Sequence, residues 1–274
     1  MRDNTINLFH CKGKNFGDAV NPMLVERIFG IACQSVPKTE AELIAIGSIL
    51  QRFTAENLVS SVQKMFYPFL HVWSSGFIAD EDYKYFKRNI DIYAVRGCLT
   101  KQKCEKILGK ELDIPLGDGG LLLSALLDRK VPKKYELGII PHVCDFKNPI
   151  FEKINDTVDN SVIIDLSWDP MKVLKKIAAC NCVISTAMHG LIAADSLGIP
   201  NKWIEVSDQI EGAGFKFRDY YSAFGLDGMT ARHLTLEESF TDHDLKAVYD
   251  DYKIKMSDVE EMKKKLYNAF PFKP

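Results

Sequence analysis

The chain has no apolar run long enough to cross a bilayer. A span needs about 18–20 such residues, and the longest apolar block, 114–127, is broken by Gly117-Asp118-Gly119-Gly120. Met1-Arg2-Asp3-Asn4 has none of the apolar character of a secretory leader. An excess of either charge is also missing. With 35 Lys and Arg against 37 Asp and Glu, nothing electrostatic points to a nucleic-acid backbone as partner. Cysteines in a pairing pattern are absent: the seven are an odd number, and neither Cys180-Asn181-Cys182 nor Cys98 with Cys104 has zinc-site spacing. Most read as buried small hydrophobes, with free thiols in a reducing compartment. The sequence has no G-x-x-x-x-G-K-[ST], no G-x-G-x-x-G after a strand and no G-x-S-x-G. That removes the P-loop, the usual nicotinamide site and the hydrolase elbow. These absences together describe a globular cytoplasmic chain, free or at the inner face of the cell membrane.

What is present is a repeated βα pattern. Short apolar runs at 6–9, 43–46, 71–73 and 90–95 each end in small or polar residues before the next element. Helices are expected at 23–29 and 99–108. The charged, proline-containing "DRKVPKKYE", 128–136, separates this block from a second one. There, strands are expected at 137–140, 162–166, 182–184 and 202–206, and helices at 170–179 and 191–197. Asp169-Pro170 supplies an N-cap followed by proline at the first helical position. The reading is α/β: an N-terminal domain over 1–128, a linker at 129–136 and a C-terminal domain over 137–240. Amphipathic closing helices follow over 241–274, with Leu245, Val248 and Tyr252 on one face. Parallel sheets of this kind present ligands at their carboxyl edge.

The polar residues at those strand ends are the candidates for chemistry. His189 stands where the strand ending at Ile184 turns into a helix, a position with unpaired backbone N–H groups that favours an anion. The alternative is a capping segment whose histidine is hydrogen-bonded within the core. Arg96 offers a planar fork of donors for carboxylate or phosphate, or is an ordinary surface arginine. His142 follows a strand ending at Pro141. Asp18 is either a helix cap or a ligand for substrate.

Eight blocks, in order, resemble the polysaccharide pyruvyl transferase family. They are "NFGDAVNP" at 15–22, "AIGSIL" at 45–50, "WSSGF" at 73–77, "AVRG" at 94–97, "LGDGG" at 116–120, "IIPH" at 139–142, "STAMHGLIAADSLGIPNKW" at 185–203 and "KFRDYYSAFG" at 216–225. The resemblance implies two Rossmann-like domains facing across a cleft, as in GT-B glycosyltransferases. It implies transfer of pyruvate from phosphoenolpyruvate to two hydroxyls of a sugar as a cyclic ketal, with no metal or other cofactor. The acceptor belongs to a bacterial surface polysaccharide or its lipid-linked repeat. Carried onto this chain, Arg96 and His189 contact the donor, His189 and Asp18 are catalytic, and His142, Ser185, Thr186, Met188 and Gly190 complete the donor side. Asn15, Gly17, Ser75 and Arg218 fall on the acceptor side.

Two departures stand out. Ala187 occupies a position where some members carry an arginine, so His142 or Arg218 is expected to supply that contact. "GDGG" replaces the more usual Gly-Asp-Pro. The chemistry fits the inventory: protonation of C3 gives an oxocarbenium-like C2 that two hydroxyls attack while phosphate leaves. This needs cations, a general acid and a base. Histidine suits the work because its unperturbed pKa is about 6.5. Two other readings use the same residues: a nucleotide-sugar glycosyltransferase, and a non-catalytic sugar- or phosphate-binding protein that Ala187 favours. Under the transferase reading, His189→Ala and Arg96→Ala both abolish transfer and leave the fold intact.

Overall fold

A computed structural model describes residues 5–13 and 15–272. Met1, Arg2, Asp3 and Asn4, on which the expectation of no leader rests, lie outside the described residues. Two five-stranded sheets organise the chain, and every strand pair in both is parallel. The first is formed by β1 (Ile6–Phe9), β2 (Cys33–Ser35), β3 (Leu43–Ile44), β5 (Leu70–Ser75) and β7 (Ile90–Val95), with spatial order β2-β1-β3-β5-β7. A small antiparallel pair, β4 (Thr54–Ala55) and β6 (Tyr85–Phe86), and the short helix α2 (Ser61–Lys64) lie along the same stretch. Helices α1 (Phe16–Phe29) and α3 (Cys98–Leu108) follow β1 and β7.

The second sheet contains β8 (Tyr135–Ile140), β9 (Val162–Ile163), β10 (Cys180–Ser185), β11 (Asn201–Glu205) and β12 (Arg232–His233), in the order β12-β11-β10-β8-β9. Its helices are α4 (Ile150–Thr157), α5 (Pro170–Ala178), α6 (Met188–Ser196) and α7 (Phe215–Ser222). The chain then runs through α8 (Asp242–Asp250) and α9 (Met256–Asn268). Counted within its own half, each sheet has strand order 2-1-3-4-5. That doubly wound order puts a topological switch between β1 and β3 in one sheet and between β8 and β10 in the other. Ligands bind outside the carboxyl ends of strands at such points.

Parallel strands covered on both faces read as apolar runs, which is why the expected strands fall on observed ones. On β8 and β10, Leu137, Ile139, Cys182 and Ile184 enter one core cluster while Ile140 and Val183 enter another, the period-2 alternation of a pleated strand. Some expected boundaries are corrected. The strand expected over 162–166 stops at Ile163, and α6 begins at Met188 rather than Leu191. Helix α1 begins at Phe16, seven residues before its expected start at Met23, with Pro22 inside it. Proline removes the N–H that would reach the Asp18 carbonyl. The Asn21 side chain replaces it, donating to the carbonyls of Gly17 at 3.0 Å and Asp18 at 3.3 Å. Its Oδ1 accepts the Ile46 N–H at 3.0 Å, which ties α1 to the end of β3. The cysteine expectation needs revision as well: Cys104, Cys180 and Cys182 are buried, Cys11, Cys33 and Cys98 are half-buried, and Cys144 is exposed.

A 3-10 segment, Gly119–Leu126, packs against both α1 and α6 and joins the halves in one core that runs from Leu8 and Leu24 to Val183 and Leu191. Helix α9 returns to the first half: Trp73 Nε1 donates to the Leu266 carbonyl at 2.9 Å, and Phe270 stacks on Phe29. Among the described residues no helix is long and apolar enough to cross a membrane.

The buried Asp195 fastens the second half. It accepts from Asn201 Nδ2 at 2.6 Å, Tyr220 hydroxyl at 2.7 Å and Tyr252 hydroxyl at 2.9 Å, which joins α6, β11, α7 and the α8–α9 connection. Removing the carboxylate strands two buried donors and a half-buried one. Asp195→Ala is therefore expected to cost about 3–5 kcal/mol in urea unfolding. A loss under about 1 kcal/mol would show the cluster to be incidental.

Candidate functional site

At the second sheet's switch point, backbone and side-chain bonds tie β8 to β10. The Ser185 hydroxyl lies 2.8 Å from the Ile140 carbonyl and accepts the Ala187 N–H at 2.9 Å. Thr186 Oγ1 accepts the His142 N–H at 2.7 Å. Gly190 is required here, because a Cβ would stand 2.7 Å from Ser185 Oγ and 2.9 Å from Ile140 Cγ2. Ser185, Thr186 and Met188 are buried, so these members of the expected donor side shape the turn from which α6 starts.

His189 occupies the first turn of α6, and its side chain is 14% exposed. The ring lies against Gly17, in the first turn of α1, where any Cβ would collide with the imidazole. The two switch points therefore meet at a glycine–histidine contact. His189 is not a hydrogen-bonded core residue: its Nε2 is buried without a hydrogen-bond partner among the described residues. Burial, followed by the charges of Arg96, Lys216 and His142, pushes its pKa down to about 3. The unliganded ring is neutral.

Asp118 Oδ2 stands 4.0 Å from its Nε2, and Asp18 lies on the α1 turn that Gly17 shares. Asp18 is pushed up to about 6 by burial, against the pull of Arg52 and Lys216. Asn15, not Asp18, caps α1, its Oδ1 accepting the Gly17 N–H at 3.3 Å. Asp118 is fully buried and also raised to about 6, chiefly by burial.

Arg96 is fully buried at the end of β7, and Gly76 packs flat on its guanidinium. Nε donates to Asp219 Oδ2 at 2.9 Å, one terminal nitrogen to Ser48 Oγ at 2.5 Å and the other to the Phe77 carbonyl at 2.6 Å. Asp219 also accepts the Thr100 N–H and hydroxyl, both at 2.7 Å. It thereby caps α3, whose own N-cap, Gly97, has no side chain for the purpose. Arg96 is thus neither a surface residue nor open to solvent, and its charge reaches His189 through the protein.

Lys216 is the residue that sequence reasoning passed over. It opens α7 within the "KFRDYY" block, is only 9% exposed, and makes no hydrogen bond or ion pair among the described residues. Burial pushes its pKa down to about 8, with Arg96 adding to the effect. Its charge is felt at Asp18, His142 and His189. A largely buried lysine with no ion pair, its ammonium over the Phe217 ring at 5.6 Å and its charge acting on a neutral histidine, suits an anion. The only sequence signal was a lysine set among buried aromatics.

His142 is half-buried, its pKa lowered to about 4 by burial and then by Lys216, and its Nδ1 lies 2.9 Å from Cys144 Sγ. Arg218 lies elsewhere: it donates to the Ala213 carbonyl at 2.9 Å and borders a cleft with Asp80, Tyr83 and Lys103. Ser75 is buried, donating to the Gly47 carbonyl at 2.8 Å. The structure therefore gathers His189, Gly17, Asp18, Asn15, His142 and Arg96 around Lys216 and Asp118, and leaves Arg218 apart.

The expectation that Arg96→Ala leaves the fold intact is corrected by its ion pair. Losing one partner of a buried pair costs about 3–5 kcal/mol, and that loss should appear in urea unfolding. Lys216→Met should instead hold or raise stability. The folded pKa of Lys216 lies below its unfolded value of 10.5. The variant's advantage should therefore open as pH falls from about 10.5 to about 8 and stay constant below that. An advantage that grows on raising the pH would contradict the unpaired ammonium.

The chain is similar to known proteins. The polysaccharide pyruvyl transferase family profile matches residues 40–208, a span that includes Arg96, Asp118, His142 and His189. Protein L143 of Acanthamoeba polyphaga mimivirus is 34% identical over 149 residues, covering 53% of this chain and 52% of its own length. The succinoglycan biosynthesis protein ExoV of Rhizobium meliloti (strain 1021) is 27% identical over 220 residues, covering 77% of this chain and 62% of its own. The chain thus spans roughly half to three-fifths of the length of these curated relatives.

Proposed function

The chain belongs to the polysaccharide pyruvyl transferase family, and on that premise we propose that it takes the pyruvyl group from phosphoenolpyruvate and sets it as a cyclic ketal across two hydroxyls of a polysaccharide sugar. The sugar is carried on a bacterial surface polysaccharide, capsular or exopolysaccharide, or on its lipid-linked repeat in the cytoplasm. The observation that carries the reading is Lys216, a largely buried cation with no ion pair among the described residues, whose charge acts on His189, itself without a hydrogen bond at Nε2, at the start of α6. Phosphoenolpyruvate brings a carboxylate and a phosphate, and both gain from an ammonium and a helix N-terminus in a partly dry site. Arg96 adds to that field from behind while it holds Ser48 and Asp219. The paired sheets, each with the 2-1-3-4-5 order, support a GT-B-like arrangement with donor on the second half and acceptor on the first.

The reaction conserves protons. Two hydroxyl O–H bonds break; one proton converts the C3 methylene to a methyl group and the other ends on the released phosphate. The electrophilic centre at C2 forms two C–O bonds to the sugar and loses its bond to the phosphate oxygen. Asp18, ionised above about pH 6, is the base on the acceptor side, on the α1 turn that meets His189. His189 contacts the phosphate. A bound trianion offsets the surrounding cations and makes the neutral imidazole a better proton acceptor. His142 and Lys216 provide what Ala187 does not.

The test is thermal melting with millimolar phosphoenolpyruvate, and with UDP-sugars in parallel, since a ligand of the native state raises the midpoint. The expected result is a rise with phosphoenolpyruvate that is lost in Lys216→Met. Phosphate release with an acceptor saccharide should fall about 10²-fold or more in His189→Ala. A rise with a nucleotide sugar alone would move the chain to glycosyl transfer.

A further inference from the structure

Asp118 has no part in the chemistry set out above, yet it is fully buried with one oxygen unused. Its Oδ1 accepts the Gly120 N–H at 2.8 Å and so caps the 3-10 segment. Its Oδ2 has no hydrogen-bond partner among the described residues and stands 4.0 Å from His189 Nε2, which has none either. Leaving two buried polar atoms unpaired is costly. The gap of 4.0 Å is about 1 Å beyond a hydrogen bond, a length from which catalytic bonds in unliganded sites tighten when substrate binds.

The surrounding backbone holds Asp118 in place. Gly117 N–H donates to the Val95 carbonyl at 3.0 Å, and Ser74 Oγ donates to the Gly117 carbonyl at 2.6 Å. Ser74 itself sits at φ 69°, a left-handed conformation that costs a serine about 1 kcal/mol or more and persists only under such restraint.

We propose that Asp118 is the positioning residue of His189: it receives the Nε2–H, fixes the tautomer and carries the compensating charge while Nδ1 holds a proton in transit. This rests on the phosphoenolpyruvate reading. Nδ1 is the nitrogen nearest Gly17, so it lies against the α1 turn that bears Asp18. The proton is the one a sugar hydroxyl loses on bonding C2. Its O–H bond breaks as Nδ1–H forms, and that bond breaks in turn as the proton passes to the departing phosphate oxygen. Arg96 from β7, Lys216 and Asp219 from α7, His142 beyond β8 and Asp18 from α1 surround the pair. Burial, and then the cations among them, keep the resting imidazole neutral and leave Asp118 as the charged member above about pH 6.

Asp118→Asn tests this. The amide oxygen can keep the Gly120 bond, which turns the NH₂ toward His189 Nε2 and forces the opposite tautomer. We expect kcat to fall about 10²–10⁴-fold, with KM for phosphoenolpyruvate and the ligand-induced melting shift retained. The ¹⁵N NMR signals of His189, assigned with His189→Gln, should change from the Nε2–H to the Nδ1–H form. A variant with wild-type kcat, or with an unchanged tautomer, overturns the proposal. If the variant fails to fold, an Nδ1–H tautomer in the wild type overturns it equally. If phosphoenolpyruvate stabilises neither protein, the donor assignment fails, and the tautomer still decides the Asp118–His189 pair.

Discussion

The ion pair between Arg96 and Asp219 is the constraint on which the candidate site depends. Its partners come from different halves, one from the end of β7 and the other from α7. The join is close: any Cβ on Gly97 would collide with the Asp219 carbonyl oxygen, and Ser222 Oγ accepts the Cys98 N–H at 2.8 Å. Helix α3 thus borrows both of its N-terminal acceptors from α7. Lys216 lies one turn before Asp219 on the same helix, so the contacts that cap α3 also set the distance between the Lys216 ammonium and the guanidinium. Charge is placed here by capping geometry.

The result is an electrostatic imbalance that folding alone does not relieve. Arg96 is satisfied by Asp219, but among the described residues Lys216 makes no ion pair and His189 Nε2 no hydrogen bond. Asp18 and Asp118 have pKa values raised to about 6, so burial has brought two acids into the range where they exchange protons near neutrality. Stability is given up locally to hold groups in states useful to a ligand.

Much of the fold was legible because a parallel strand covered on both faces must be apolar and must end in residues that can turn. That argument located eight of the ten strands of the two sheets, all but β2 and β12, and Asp169-Pro170 located α5. It did not find α1's start, because Pro22 reads as a boundary unless Asn21 is known to supply the missing bond. It also missed the two-residue strands β4 and β6 and the 3-10 segment, which are too short for any period to show. Within the site, His189, Gly17 and Asp18 carried local signals. Asp118 was legible only as a polar residue at a strand end, and Lys216 carried no such signal, because a charge acquires its meaning from neighbours such as His189, 71 positions from Asp118 and 27 from Lys216. Arg96 was read as an anion binder or a surface arginine, and its burial was not legible, since only Asp219 explains it.

The return of α9 to Trp73 has a consequence for how the protein is made. Trp73 is fully buried, yet the carbonyl that accepts its indole N–H belongs to Leu266, 193 positions later, and Phe29 has its stacking partner at Phe270. At about 5–20 residues per second, the ribosome reaches Leu266 about 10–40 s after Trp73. During that interval the first sheet has a strand face it cannot cover. The emerging chain must therefore be shielded by a chaperone or tolerate an exposed tryptophan and phenylalanine until its last helix arrives.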